Sequence, residues 1–218
     1  MRRTNQRGIV IGPILFIVAI LAVLAAAIAA GSGAFNGDIS AVSAKAQATA
    51  ILEQANEVKF AVDRLIAKGC TDTQISFENP IVSGYENPNA PSDKSCHVFD
   101  INGGAIVFKN YHPGCMDIGF KTNSSLGWNA ENIGDSEKAD IYIRLNFCDG
   151  ISLCNAYNNL VGIDNLVHLD GYMHSDKFVG TYLDGGGFKT PPNTLLGKNA
   201  YCATFSVGVA LYFVILAR

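Results

Sequence analysis

Residues 9–30 read IVIGPILFIVAILAVLAAAIAA, from Ile9 to Ala30, without one charged side chain. At about 1.5 Å of rise per residue, a helix of this length reaches across the roughly 30 Å hydrocarbon core of a bilayer. Immediately before it, residues 1–8 carry Arg2, Arg3 and Arg7 and no acid. Basic residues beside an apolar span stay on the cytoplasmic side, so the chain beyond Ala30 is expected on the far side of the membrane.

The rest of the composition agrees with an exported domain. The chain has 16 Lys and Arg against 19 Asp and Glu, a formal charge of -3. Three of those basic residues lie before Gly8, so the part beyond the span is more acidic than the whole, and no basic face for nucleic acid is indicated. All six cysteines, Cys70, Cys96, Cys115, Cys148, Cys154 and Cys202, fall beyond the span. An even number in an oxidising compartment reads first as disulfides. Spacing leaves the connectivity open, and the pairing adopted as an expectation is Cys70 with Cys96, Cys115 with Cys148, and Cys154 with Cys202. No C-x-x-C pair occurs and the four histidines are not at zinc-finger spacing, so no metal or other cofactor is expected.

After the span, residues 31–38 (GSGAFNGD) hold Gly31, Gly33 and Gly37, which read as a hinge. A second helix is expected over 39–69. Ala41, Ala44, Ala48, Ile51, Ala55, Val58, Val62 and Leu65 recur at spacings of three and four as one apolar stripe, and Gly69 is placed to end it. The C-terminal half of that helix is expected to pack within its own domain and the Ala-rich N-terminal half on other helices.

From Cys70 to Arg218 the texture changes to short apolar runs between Gly, Pro, Asn and Asp, a β-rich head. Ile75–Phe77, His97–Ile101, Ala105–Asn110 and Asp140–Phe147 read as strands, and Ser83–Ser95 as a surface loop. Ser152–Gly162 reads as a short helix with Ser152 as its N-cap and Leu153, Ala156, Tyr157 and Leu160 inward. The last stretch, ATFSVGVALYFVILAR, is too short for a comfortable second span and reads as one central or near-central strand.

The N-terminus resembles the type IV pilins and type II secretion pseudopilins: a short basic, acid-free leader ending in Gly8, then an unbroken apolar helix. The resemblance implies cleavage between Gly8 and Ile9 by a prepilin peptidase. It implies a subunit held in the bacterial inner membrane with its C-terminus periplasmic, then drawn by assembly machinery into an extracellular filament of its own copies or related pilins. It implies an α+β fold, a long N-terminal hydrophobic-then-amphipathic helix packed on an antiparallel β-sheet head, and no enzymatic activity. Such pilins usually carry glutamate at the fifth mature position. Here that position is Pro13, which implies a minor or divergent subunit.

Other readings stay open on the same residues. Ala27-Ile28-Ala29 offers a signal-peptidase site. An uncleaved anchor would make a bitopic inner-membrane protein whose periplasmic domain binds a ligand or partner. Enzyme motifs are weak: His168-Leu169-Asp170 and His174-Ser175-Asp176 read as solvated loop, Gly185–Gly187 lacks the partners of a phosphate loop, and Ser124 lacks the glycines of a nucleophile elbow. Trp128 and Tyr111 read as core residues as readily as binding ones.

Overall fold

The computed structural model describes residues 41–109, 117–123, 140–146, 148, 150–164, 166–168, 175–182, 198–205 and 208–217. The chain divides into two compact units, Met1–Ser43 and Ala44–Arg218, and only the second is described at length. Ile9–Ala30, the leader junction at Gly8 and Ile9, and the hinge glycines Gly31, Gly33 and Gly37 all lie outside the described residues.

Helix α1 runs over 41–67. From Ala48 on its stripe is spent on the domain interior: Ala48, Ile51, Ala55, Val58, Val62 and Leu65 join one core, Ala44 is also buried, and Ala41, expected in the stripe, is exposed. Burying each of the larger side chains among them stabilises by about 1.5–3 kcal/mol. Of the Ala-rich half, Ala48 already joins the core of this domain, unlike the exposed Ala41 of the same stripe. The helix stops where Gly69 takes φ +103°, a left-handed conformation that costs a glycine little. There the Gly69 N–H donates to the Ile66 carbonyl at 3.0 Å and the Cys70 N–H to the Leu65 carbonyl at 3.1 Å. Together these two hydrogen bonds close the last carbonyls of the helix.

The sheet has six strands in the order β3-β5-β6-β2-β1-β4. They are β1 (Asp117–Asn123), β2 (Ile141–Asn146), β3 (Val167–His168), β4 (Ser175–Lys177), β5 (Ala200–Phe205) and β6 (Gly208–Leu216), with helix α2 (Gly150–Leu160) between β2 and β3. All neighbours are antiparallel except β3 and β5, which are parallel. Alternation sorts the side chains between two faces. Ile141, Ile143 and Leu145 of β2, Leu211, Phe213 and Ile215 of β6, and Ala200 and Cys202 of β5 join one core with the α1 stripe. Tyr142, Tyr201, Ala203, Ala210, Tyr212 and Val214 form a second cluster on the opposite face.

The fold expected from the sequence is corrected in three respects. The sheet is mixed rather than antiparallel, because the chain leaving α2 enters β3 alongside β5 instead of folding back as a hairpin. Among the described residues no helix is long and apolar enough to cross a membrane; α1 carries Lys45, Glu53, Glu57, Lys59, Asp63 and Arg64 around its stripe. The pilin-type arrangement of a hydrophobic-then-amphipathic helix on an antiparallel head is therefore not what the described residues form. Lastly, the C-terminal stretch is a β5–β6 hairpin, pairing Phe205 with Gly208 and Ala200 with Phe213, rather than one strand. β6 does hold an interior place in the sheet, as expected.

Between α1 and β1 the chain is irregular but pinned. Ile75–Phe77 and His97–Ile101 are not strands; they meet only in an isolated parallel bridge of Ser76 and His97. After His97 the chain turns back on itself, and a Cβ on Gly103 or Gly104 would collide with the carbonyl of His97 or Val98. Backbone packed that closely cannot run on as a strand edge. Residues 105–109 are not a strand either, and Asn110 lies outside the described residues. The Ser83–Ser95 loop is less superficial than its composition suggests. Tyr85 is buried, its hydroxyl accepting from the Phe120 N–H at 3.0 Å, and Asn87 donates to the carbonyls of Thr73 and Ile75 at 2.9 and 2.7 Å.

Candidate functional site

α1 is held on two sides. Its buried stripe faces the sheet, while its outward face is gripped by the segment after the Gly103-Gly104 turn. Arg64 donates to the carbonyl of Gly104. One helical stretch away, Lys109 pairs with Glu57 at 3.1 Å. The two anchors lie either side of Phe60, which is 70% exposed, and the segment they hold carries Val107, 76% exposed. Single exposed apolar residues are common on protein surfaces and assign no partner by themselves.

Cysteines join these parts covalently. Cys70, the residue that closes α1, is bonded to Cys96, and Cys154 of α2 to Cys202 of β5. These are two of the three expected pairs. Cys148 is also disulfide-bonded, while Cys115 lies outside the described residues. α2 begins two residues before the expected start, at Gly150, and buries Leu153, Cys154, Tyr157 and Asn158; Leu160 is 39% exposed rather than inward. One turn after Cys154, Asn158 reaches the same strand residue. Its Nδ2 donates to the Cys202 carbonyl at 3.0 Å and its Oδ1 accepts from the Cys202 N–H at 2.7 Å. α2 thus holds Cys202 once by a disulfide and once by an amide that mimics a neighbouring strand.

Of the two histidine motifs considered from the sequence, His168 and Asp176 are the potential ligands among the described residues, and they stand far apart. His168 stands in β3 with Nδ1 at 3.1 Å from the Thr204 hydroxyl, not in a loop. Asp176 is in β4, at the opposite edge of the sheet. Five strand spacings of about 4.8 Å separate them, too far to share an ion. Asp170, His174, Gly185–Gly187, Ser124, Trp128 and Tyr111 lie outside the described residues. Among the described residues no group of three His, Cys, Asp or Glu could hold a metal. His97 is buried beside Glu78 at 3.4 Å. Burial holds its imidazole below the ordinary value, against the opposing pull of Glu78.

Two features escaped the sequence reading. On the sheet face away from α1, Tyr201 stacks on Tyr212 with centroids 4.7 Å apart, Tyr142 leans on Tyr212 at 5.9 Å, and Arg144 lies 5.7 Å over the Tyr212 ring. Burial pushes the Tyr201 and Tyr212 hydroxyls well above the usual phenol range. The second feature is a cleft of about 480 Å³ where α1, the end of α2 and the β5–β6 hairpin meet. Leu52, Leu160, Val161 and Phe213 contribute its apolar lining. At its edge Lys59 contacts Asp63 at 3.1 Å and the Ile215 carbonyl at 3.4 Å, and Lys198 donates to the Gly162 carbonyl at 3.0 Å. The signal was not in any local motif, since the cleft gathers residues from opposite ends of the chain.

No protein-family model, curated protein or solved structure matches this chain.

Proposed function

We propose that the protein is a structural subunit of an exported filament, of the type IV pilus or secretion pseudopilus kind, and not an enzyme. The observation that carries the reading is the order of parts along the chain: a basic prefix, an uncharged run from Ile9 to Ala30, and then a domain joined by Cys70–Cys96 and Cys154–Cys202. Disulfides persist in oxidising compartments, which supports a domain lying beyond the membrane from its arginines. In this reading the apolar run is used twice, first in lipid and then against the same runs of neighbouring subunits. At roughly 0.8 kcal/mol per buried methylene it would not remain in water between the two. The covalently braced domain is what the filament would display.

N-terminal sequencing of the protein recovered from its host tests the proposal. A mature start at Ile9, lost together with surface filaments when Gly8 is replaced by Leu, is the expected result. A start near Ala30 overturns it, as do normal filaments from the Gly8→Leu chain. The lysine-edged cleft favours a second reading, a membrane-tethered domain that binds a ligand; recovery of the chain with Met1 intact and without filaments would support that one instead.

A further inference from the structure

We propose that the cleft between α1, the end of α2 and the β5–β6 hairpin binds one fatty-acid-type anion, a single carboxylate on an unbranched apolar tail. The cleft's volume, about 480 Å³, lies inside the range of roughly 300–1,000 Å³ usual for small-molecule sites. Its described lining joins six apolar residues to Asn56, Asn199 and two lysines, with no acid. That imbalance selects the ligand. An inorganic anion would satisfy the lysines and leave Leu52, Leu160, Val161 and Phe213 against water; a neutral or cationic chain would cover them and leave the Lys198 ammonium without a counter-charge among the described residues.

Both lysines are available at small cost. Lys198 has only the neutral Gly162 carbonyl as a partner among the described residues, and no carboxylate there lies within ion-pair distance of it. Lys59 is shared with Asp63, but both side chains are about two-fifths exposed or more, at 39% and 47%. Exposed pairs of this kind contribute little, typically under about 1 kcal/mol, so an incoming carboxylate can compete for the Lys59 ammonium. The tail then lies along the wall formed by Leu52 of α1 and Leu160 of α2. Nothing in this inference depends on filament assembly, and either outcome of the processing experiment leaves it standing.

The test uses the full chain in phosphatidylcholine nanodiscs, with decanoic acid carrying a photoreactive diazirine in its tail as the probe. Expected are adducts on the peptides holding Leu52, Leu160 or Phe213, suppressed by excess decanoate and not by decyltrimethylammonium. The probe's methyl ester should label the same peptides at least tenfold less. So should the acid probe on the Lys59→Gln/Lys198→Gln chain, since a charge-assisted hydrogen bond is worth enough to change occupancy by about that factor. Both substitutions are at the surface, and an unchanged denaturation midpoint will show that the chain still folds; the single Lys198→Gln chain serves if it does not. Equal labelling by acid and ester, labelling indifferent to the lysines, or adducts confined to other peptides would each overturn the assignment.

Discussion

Replacing Asn158 by Leu should cost about 3–4 kcal/mol of folding stability, out of all proportion to a change that nearly conserves volume. Asn158 is 1% exposed and its amide is the partner of both the N–H and the C=O of Cys202. On the β6 side Cys202 sits opposite Leu211, and β3 extends only far enough to cover Ala203 and Thr204 on the other side. With a leucine in place of Asn158, two buried backbone groups lose their partners. Each unsatisfied group costs about 1–3 kcal/mol, partly offset by the added apolar burial. Against a total of about 5–15 kcal/mol for a domain of this kind, the loss is large. Asn158→Asp gives a sharper signature. Its carboxylate still accepts from the Cys202 N–H but faces the Cys202 carbonyl with no proton to donate, so burial raises its folded pKa above the unfolded value of about 3.9. A raised folded pKa means that the variant is least impaired below about pH 4 and loses stability as pH rises through the folded value. Guanidinium unfolding with the disulfides intact, across pH 4 to 8, measures both effects. An Asn158→Leu protein within 1 kcal/mol of the parent, or an Asn158→Asp protein without that pH slope, would refute the view of Asn158 as a surrogate strand.

Three further outcomes are expected. Removing a disulfide as a Ser pair should cost about 3.5 kcal/mol for Cys70–Cys96 and about 4 kcal/mol for Cys154–Cys202, since they close loops of separation 26 and 48; calorimetry of the oxidised variants checks this. Because burial raises the Tyr201 and Tyr212 pKa values, the folded state holds those protons after the unfolded chain has released them near pH 10. Their contribution is complete below that pH and is lost as it rises, so part of the tyrosinate absorbance at 295 nm should appear only together with loss of near-ultraviolet circular dichroism. Arg64→Ala should cost about 1 kcal/mol, through the Gly104 carbonyl it abandons, whereas Glu57→Ala, breaking an exposed pair with Lys109, should stay within about 0.5 kcal/mol in the same unfolding assay.

What the sequence revealed depended on the length over which a pattern repeats. The α1 stripe runs for six turns with its stop at Gly69, and β2 alternates over its full length, so both could be read directly. The β5–β6 hairpin could not. Its reversal, between Phe205 and Gly208, lacks the Asn-Gly or Asp-Gly pair that advertises a tight turn, and apolar residues continue on both sides. β3 and β4 are two and three residues long, below any periodicity window, and β3's parallel partner is set by where α2 delivers the chain. Ile75–Phe77 reads as a strand because its apolar residues alternate; Phe77 is buried by stacking on Phe120, with ring centroids 4.4 Å apart, and Ile75 by the same core, and not by sheet pairing. The cleft was invisible for the same reason as Asn158: its members come from distant elements and share no local motif.

The bracing of α1 bears on the proposed role more than any single residue does. A subunit that transmits load along a filament must pass force from the helix into the domain without unfolding at the junction. Hydrophobic packing of the stripe resists lateral separation of α1 but does little against peeling from one end. Peeling from the C-terminal end is blocked where the helix closes on Gly69 and runs at once into Cys70, bonded to Cys96. On the outward side the Arg64 and Lys109 contacts tie the helix to the 104–109 segment, itself anchored through Asp100, which accepts from the Gly103 and Ala105 N–H groups at 3.1 and 2.8 Å. In the proposed filament, tension reaching the C-terminal end of α1 would be shared by a covalent staple and by backbone packed around it. In a tethered ligand-binding domain the same bracing would serve differently, holding Leu52 and Lys59 in fixed register with the β5–β6 wall of the cleft. Removing Cys70–Cys96 as a Ser pair should therefore weaken a loaded filament in the first role, and in the second loosen Leu52 and Lys59 against the β5–β6 wall and lower occupancy of the cleft.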